Sequence, residues 1–109
     1  MVKKTIMLAC SAGMSTSLLV TKMEKAAEAK GIDVDIFAVS ASDVDTNLEN
    51  KSVDVLLLGQ QVRFMKDQFE SKLSDKNIPV DVINMSDYGM MNGENVLNQA
   101  LFLIGENKG

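Results

Sequence analysis

Cys10 is the only cysteine in the chain, and it stands between an apolar run and a string of mostly small residues, Ser11, Ala12, Gly13, Met14, Ser15, Thr16 and Ser17. A thiol at a helix start is placed to carry an anion. The first-turn backbone N–H groups lack partners and bear partial positive charge, which stabilises a thiolate and cradles phosphate. Hydroxyls on Ser11, Ser15, Thr16 and Ser17 add neutral donors, and no lysine or arginine lies in the loop. A plainer assignment competes: a lone cysteine is often a buried, inert hydrophobe, and Ser or Thr ahead of a helix is often only an N-cap. The strand-like run before Cys10, Gly13 within the loop and the helical pattern after it favour the anion site.

The elements that position this loop follow from hydrophobic spacing. Residues 5–9 form a short apolar run that reads as a buried strand, and a helical pattern begins near Thr16, with Leu18, Leu19, Met23, Ala26 and Ala27 on one face and Gly31 as its C-terminal cap. Cys10 therefore stands at the carboxyl end of the first strand, the edge where open α/β sheets collect ligands. Residues 32–38 alternate as a second strand nearer the sheet edge, and residues 40–51 hold a short, weakly specified helix. Residues 53–58 predict a central strand closing at Gly59, followed by a helix through Val62, Met65, Phe69 and Leu73. Pro79 marks the turn into a fourth strand over residues 80–84; residues 85–93 read as a loop, and a last helix carries Val96, Leu97, Ala100, Leu101 and Ile104. This alternation predicts a parallel sheet in the order 2-1-3-4 with right-handed crossovers and helices on both faces.

That order sets the Cys10 loop beside Gly59-Gln60-Gln61 at the switch point between strands one and three. Gly59 and Gln60 are candidates for the pocket edge, against the alternative of a plain strand-to-helix turn. Asp87 and Tyr88 fall after the fourth strand on the same edge, as an acid or a phenol that donates a hydrogen bond to phosphate, or as a turn with an aromatic lid. Met14, Met90 and Met91 also fall there, suited to docking a partner or to filling gaps in the core.

Composition bounds the function. A chain of 109 residues, 46% apolar and 24% charged, is expected to form one domain over its whole length with a core of its own. Without histidine it holds no Ser-His or Cys-His pair, no Cys/His zinc site and no phosphohistidine, so any phosphate it carries is carried by sulfur. The acidic residues show no paired-catalyst or calcium-loop spacing, and neither metal nor cofactor is expected. A net charge of −4 with dispersed basic residues gives no nucleic-acid footprint. The apolar run after Lys3-Lys4 is too short to cross a bilayer, so a cytoplasmic protein with no inserted segment is expected.

The run from Lys3-Lys4 through Cys10-Ser11-Ala12-Gly13-Met14-Ser15-Thr16-Ser17-Leu18-Leu19, together with Leu58-Gly59-Gln60-Gln61 and Tyr88-Gly89, resembles the enzyme IIB component of the lactose/cellobiose class of the bacterial sugar phosphotransferase system. The resemblance spans nearly the whole chain. It implies a flavodoxin-like phosphocarrier with a phosphatase-like loop, in which Cys10 takes a phosphoryl group from phosphohistidine on enzyme IIA; a monomer is expected. The group then passes to a β-linked disaccharide of cellobiose or chitobiose type, bound by the membrane permease enzyme IIC. The loop is also similar to that of low-molecular-weight tyrosine phosphatases, Cys followed by five residues, Arg, and Ser or Thr, and a phosphatase or arsenate reductase is the alternative. Thr16 occupies the arginine position here, which removes the bidentate clamp hydrolysis would use. A receiver-like binding module would need an acidic cluster after the first strand and an aspartate ending the third, where this chain has Cys10 and Gly59.

Overall fold

The computed structural model describes residues 4–11 and 14–108, without the side chains of residues 14–16 and 106–108. Four parallel strands, β1 (Lys4–Cys10), β2 (Val34–Ser40), β3 (Val55–Leu58) and β4 (Val80–Val82), pair in the order β2-β1-β3-β4. The helices are α1 (Met14–Lys30), α2 (Val44–Asn50), α3 (Lys66–Leu73), α4 (Met85–Gly89) and α5 (Gly93–Lys108). This is the flavodoxin-like α/β order that the hydrophobic spacing predicts.

The central strands are apolar throughout because both faces of the sheet are covered. Ile6, Leu8, Val55 and Leu57 pack with Leu19, Met23 and Ala27 of α1 and Val96, Leu97, Ala100 and Ile104 of α5. On the other face Met7, Ala9, Leu56 and Leu58 meet Val44 of α2, Val62, and Phe69 and Leu73 of α3. By the two-residue period of a strand, Cys10 shares the face of Ile6 and Leu8, under α1.

Several boundaries differ from the sequence-based expectation, each for a local reason. Helix α1 begins at Met14 rather than near Thr16, so Ser15 and Thr16 belong to its first turn. It stops at Gly31 as expected: this residue adopts φ +70, its N–H donates to the Glu28 carbonyl, and the Ile32 N–H donates to that of Ala27. Strand β3 starts at Val55 because Asp54 turns its own side chain to the ladder, its carboxylate accepting the Thr5 N–H at 2.8 Å. The segment after Gly59 opens as a 3-10 turn, Gln60–Met65, with Val62 at φ −120, and becomes α-helical only at Lys66.

The expected loop over residues 85–93 is instead largely helical. Asn84 caps α4, its side-chain oxygen accepting the Ser86 and Asp87 N–H groups at 3.0 and 3.2 Å. A cap that satisfies two of the first-turn donors sustains a helix of one turn that hydrophobic periodicity alone does not reveal.

Candidate functional site

Cys10 ends β1 opposite Ser40 of β2, and four positions later α1 begins. On its other side lies Gly59, whose N–H donates to the Ala9 carbonyl at 2.8 Å. The expected neighbourhood of Cys10 and Gly59 at the switch point is therefore present. The contact is close enough to explain the glycine: a Cβ on residue 59 would lie 3.3 Å from the Cys10 Cβ and 3.2 Å from Gln61 Oε1. Gly59 itself has φ −67, so the requirement is room, not backbone freedom.

The cysteine is only 2% exposed. It is the last residue of β1, at the carboxyl edge of the sheet. Of the predicted loop, Ser11 and Ser17 are exposed, Met14, Ser15 and Thr16 contribute the backbone of the first turn of α1, and Ala12 and Gly13 lie outside the described residues. Three surface clefts among the described residues open at the amino ends of the strands, one beside Ile32 and Val34 and two beside Val53 and Ile78.

The two glutamines after Gly59 are put to opposite uses. A 3-10 turn rotates successive side chains by about 120°. Gln60, a candidate for the pocket edge, donates to the carbonyl of Ile83, just after β4, at 2.7 Å. Gln61 instead meets Tyr88, whose hydroxyl donates to Gln61 Oε1 at 3.1 Å. Spacing alone does not separate adjacent glutamines; the 3-10 geometry does.

Tyr88, a candidate for the pocket edge, is thereby tied to the turn that follows Gly59. It is 9% exposed, its ring packs into the α1/α5 face of the core, and its hydroxyl stands at the edge. A chain of amides holds it there. Asn84 caps α4, Gln99 of α5 accepts the Asn84 N–H at 3.3 Å and donates to the Val82 carbonyl at 2.9 Å, and Asn95 donates to Asp87 Oδ1 at 3.0 Å. Asp87 is thus engaged in fixing α4 against α5. The pattern Asn84 followed three residues later by Asp87 is the available sequence signal for this capped turn.

Among the expected docking methionines, Met90 is exposed while Met91, at φ 52, packs against the core; the side chain of Met14 is not among those described. Leu18, Phe64 and Met85 are exposed on the segments that leave the same edge. The described residues contain no group of metal-ligating side chains.

Comparison with known proteins follows the same lines. The family described as "PTS system, Lactose/Cellobiose specific IIB subunit" matches residues 5–99. The chain is 53% identical to the PTS system galactose-specific EIIB component of Lactococcus lactis subsp. cremoris, over 92% of this chain and 95% of that protein. Identity and coverage are the same for the cellobiose-specific EIIB component of Lactococcus lactis subsp. lactis. Among solved structures, the cellobiose-specific phosphotransferase IIB component from Borrelia burgdorferi superposes with a TM-score of 0.79 at 40% identity, covering 97% of this chain and 95% of that one. The lactose-specific IIB component domain from Streptococcus pneumoniae shares the fold, with a TM-score of 0.79 at 13% identity over 93% of this chain and 97% of that one.

Proposed function

The chain belongs to the lactose/cellobiose-specific IIB family of the sugar phosphotransferase system, and from that premise we propose that Cys10 is its phosphoryl carrier. The observation behind the proposal is the position of the thiol: last residue of β1, before the start of α1 and against Gly59 at the β1/β3 switch point. A buried, inert cysteine would fit any core position; this one occupies the ligand-binding edge of an open α/β sheet.

In the proposed reaction the Cys10 sulfur attacks the phosphorus of a phosphohistidine on enzyme IIA in line. The S–P bond forms as the N–P bond breaks, the electron pair stays on the imidazole nitrogen, and that nitrogen takes the thiol proton. Delivery runs the other way: a hydroxyl of a β-linked disaccharide on enzyme IIC attacks the phosphorus, the O–P bond forms as the S–P bond breaks, and sulfur regains a proton. First-turn amides of α1 and the hydroxyls of Ser11, Ser15, Thr16 and Ser17 hold the three equatorial oxygens throughout. No helix among the described residues is long and apolar enough to cross a membrane, which fits a cytoplasmic shuttle that leaves translocation to the permease.

The test is reconstitution. Purified chain is added to phosphoenolpyruvate, the general phosphotransferase proteins, enzyme IIA and membranes carrying the cognate enzyme IIC, with cellobiose, chitobiose and galactose offered separately. Sugar phosphate should appear for a β-linked disaccharide and be abolished by Cys10→Ser. Undiminished sugar phosphate with Cys10→Ser would refute the carrier assignment.

A further inference from the structure

Gln61 is exposed at this edge, so its side chain is open to an incoming group. Its amide oxygen is occupied by the Tyr88 hydroxyl, while its amide nitrogen, with two N–H donors, makes no hydrogen bond among the described residues. Oε1 and the Cys10 Cβ lie within 3.3 Å of one point, the place a Cβ on Gly59 would occupy. Tyr88 is itself fixed by the Asn84 cap and the Asn95 to Asp87 bond, so the amide is held at one end by a rigid partner and open at the other.

We propose that Gln61 is a phosphoryl-contacting residue: its Nε2 donates to an oxygen of the phosphoryl group on Cys10, and Tyr88 is the positioning residue that turns the nitrogen toward it. This rests on the carrier function proposed for Cys10 and adds a donor from the β3 side, opposite the α1 amides. In a loop without lysine or arginine, one more neutral donor shifts the affinity for a dianion while leaving the group transferable.

The discriminating variant is Gln61→Glu. A glutamate carboxylate still accepts the Tyr88 hydroxyl, so the tie to α4 survives, but it replaces the donor with a negative charge facing the phosphoryl. Gln61→Ala removes both functions. The experiment follows the rate of phosphoryl uptake on Cys10 from phosphorylated enzyme IIA by intact mass, with thermal midpoints measured in parallel. A donor role predicts Gln61→Ala slower than the unsubstituted chain and Gln61→Glu slower still, by about tenfold or more, since hydrogen bonds to charged groups are the stronger class. Tyr88→Phe should fall by a few-fold, as the amide loses its anchor. A rate for Gln61→Glu equal to or above that of Gln61→Ala overturns the proposal, because that order belongs to a merely structural tie. Failure of the unsubstituted chain to take phosphoryl on Cys10 overturns the carrier function together with it, whereas normal uptake by all variants overturns this inference alone.

Discussion

A thiol that receives a phosphoryl group in a loop without lysine or arginine relies on neutral dipoles there, and this should make the thiophosphate slow to hydrolyse but easy to pass on. Thr16 sits where related loops carry arginine, in the first turn of α1. Thr16→Arg is expected to raise p-nitrophenyl phosphate turnover and shorten the lifetime of phospho-Cys10 in buffer by about tenfold or more. An unchanged lifetime would show that the missing clamp is not what protects it. Gly59→Ala probes the other side of the sulfur. The new methyl would press on Cys10 Cβ at 3.3 Å and on Gln61 Oε1 at 3.2 Å. Uptake of phosphoryl should therefore fall several-fold, while stability drops by only about 1 kcal/mol because the glutamine end can yield. Equal uptake rates for this variant and the unsubstituted chain would argue against close packing around the thiol.

Among the elements, α4 and the start of α5 carry the sharpest expectations. Removing the Asn84 cap with Asn84→Ala should cost about 1 kcal/mol, readable as a lower urea midpoint, and should loosen Tyr88 enough to slow phosphoryl uptake. A Cβ on Gly93 would sit 2.4 Å from the Lys22 carbonyl carbon and 2.6 Å from the Met23 nitrogen, both backbone atoms that cannot swing aside. Gly93→Ala should therefore push α5 off α1 and cost about 1–3 kcal/mol, with a matching fall in thermal midpoint; a midpoint within a degree of the unsubstituted chain would contradict the packing. These two elements also mark where the sequence stops being readable. Ile6 to Ala9 and Val55 to Leu58 announce buried strands because a sheet covered on both faces must be apolar at every position. Their order then brings Cys10 to Gly59. Helix α4 is one turn long and exists through a cap, so no apolar period signals it; Gln60 and Gln61 are told apart only by a 3-10 turn; and Gly93 is dictated by a helix crossing, a long-range contact that local spacing does not encode.

At the scale of the whole molecule, the sheet separates two tasks. Helices α1 and α5 with one core and α2 and α3 with the other build the scaffold, and the carboxyl edge holds Cys10, the start of α1, Gly59 and the bond from Tyr88 to Gln61. Exposed Leu18, Phe64, Met85 and Met90 lie on the segments leaving that edge, and under the proposed function this is where enzyme IIA and the permease would approach Cys10. The proposed single domain should unfold in one cooperative transition, with coincident far-UV and near-UV signals, and separate unfolding of the two halves would contradict it. The central claim is tested most directly by charging the chain with phosphoenolpyruvate, enzyme I, the histidine carrier and enzyme IIA, then locating the added phosphoryl by peptide mass spectrometry under conditions that preserve thiophosphate. The account predicts a single phosphoryl group on Cys10 and none in Cys10→Ser; phosphoryl on Ser11 or Thr16, or on the Cys10→Ser chain, would contradict it.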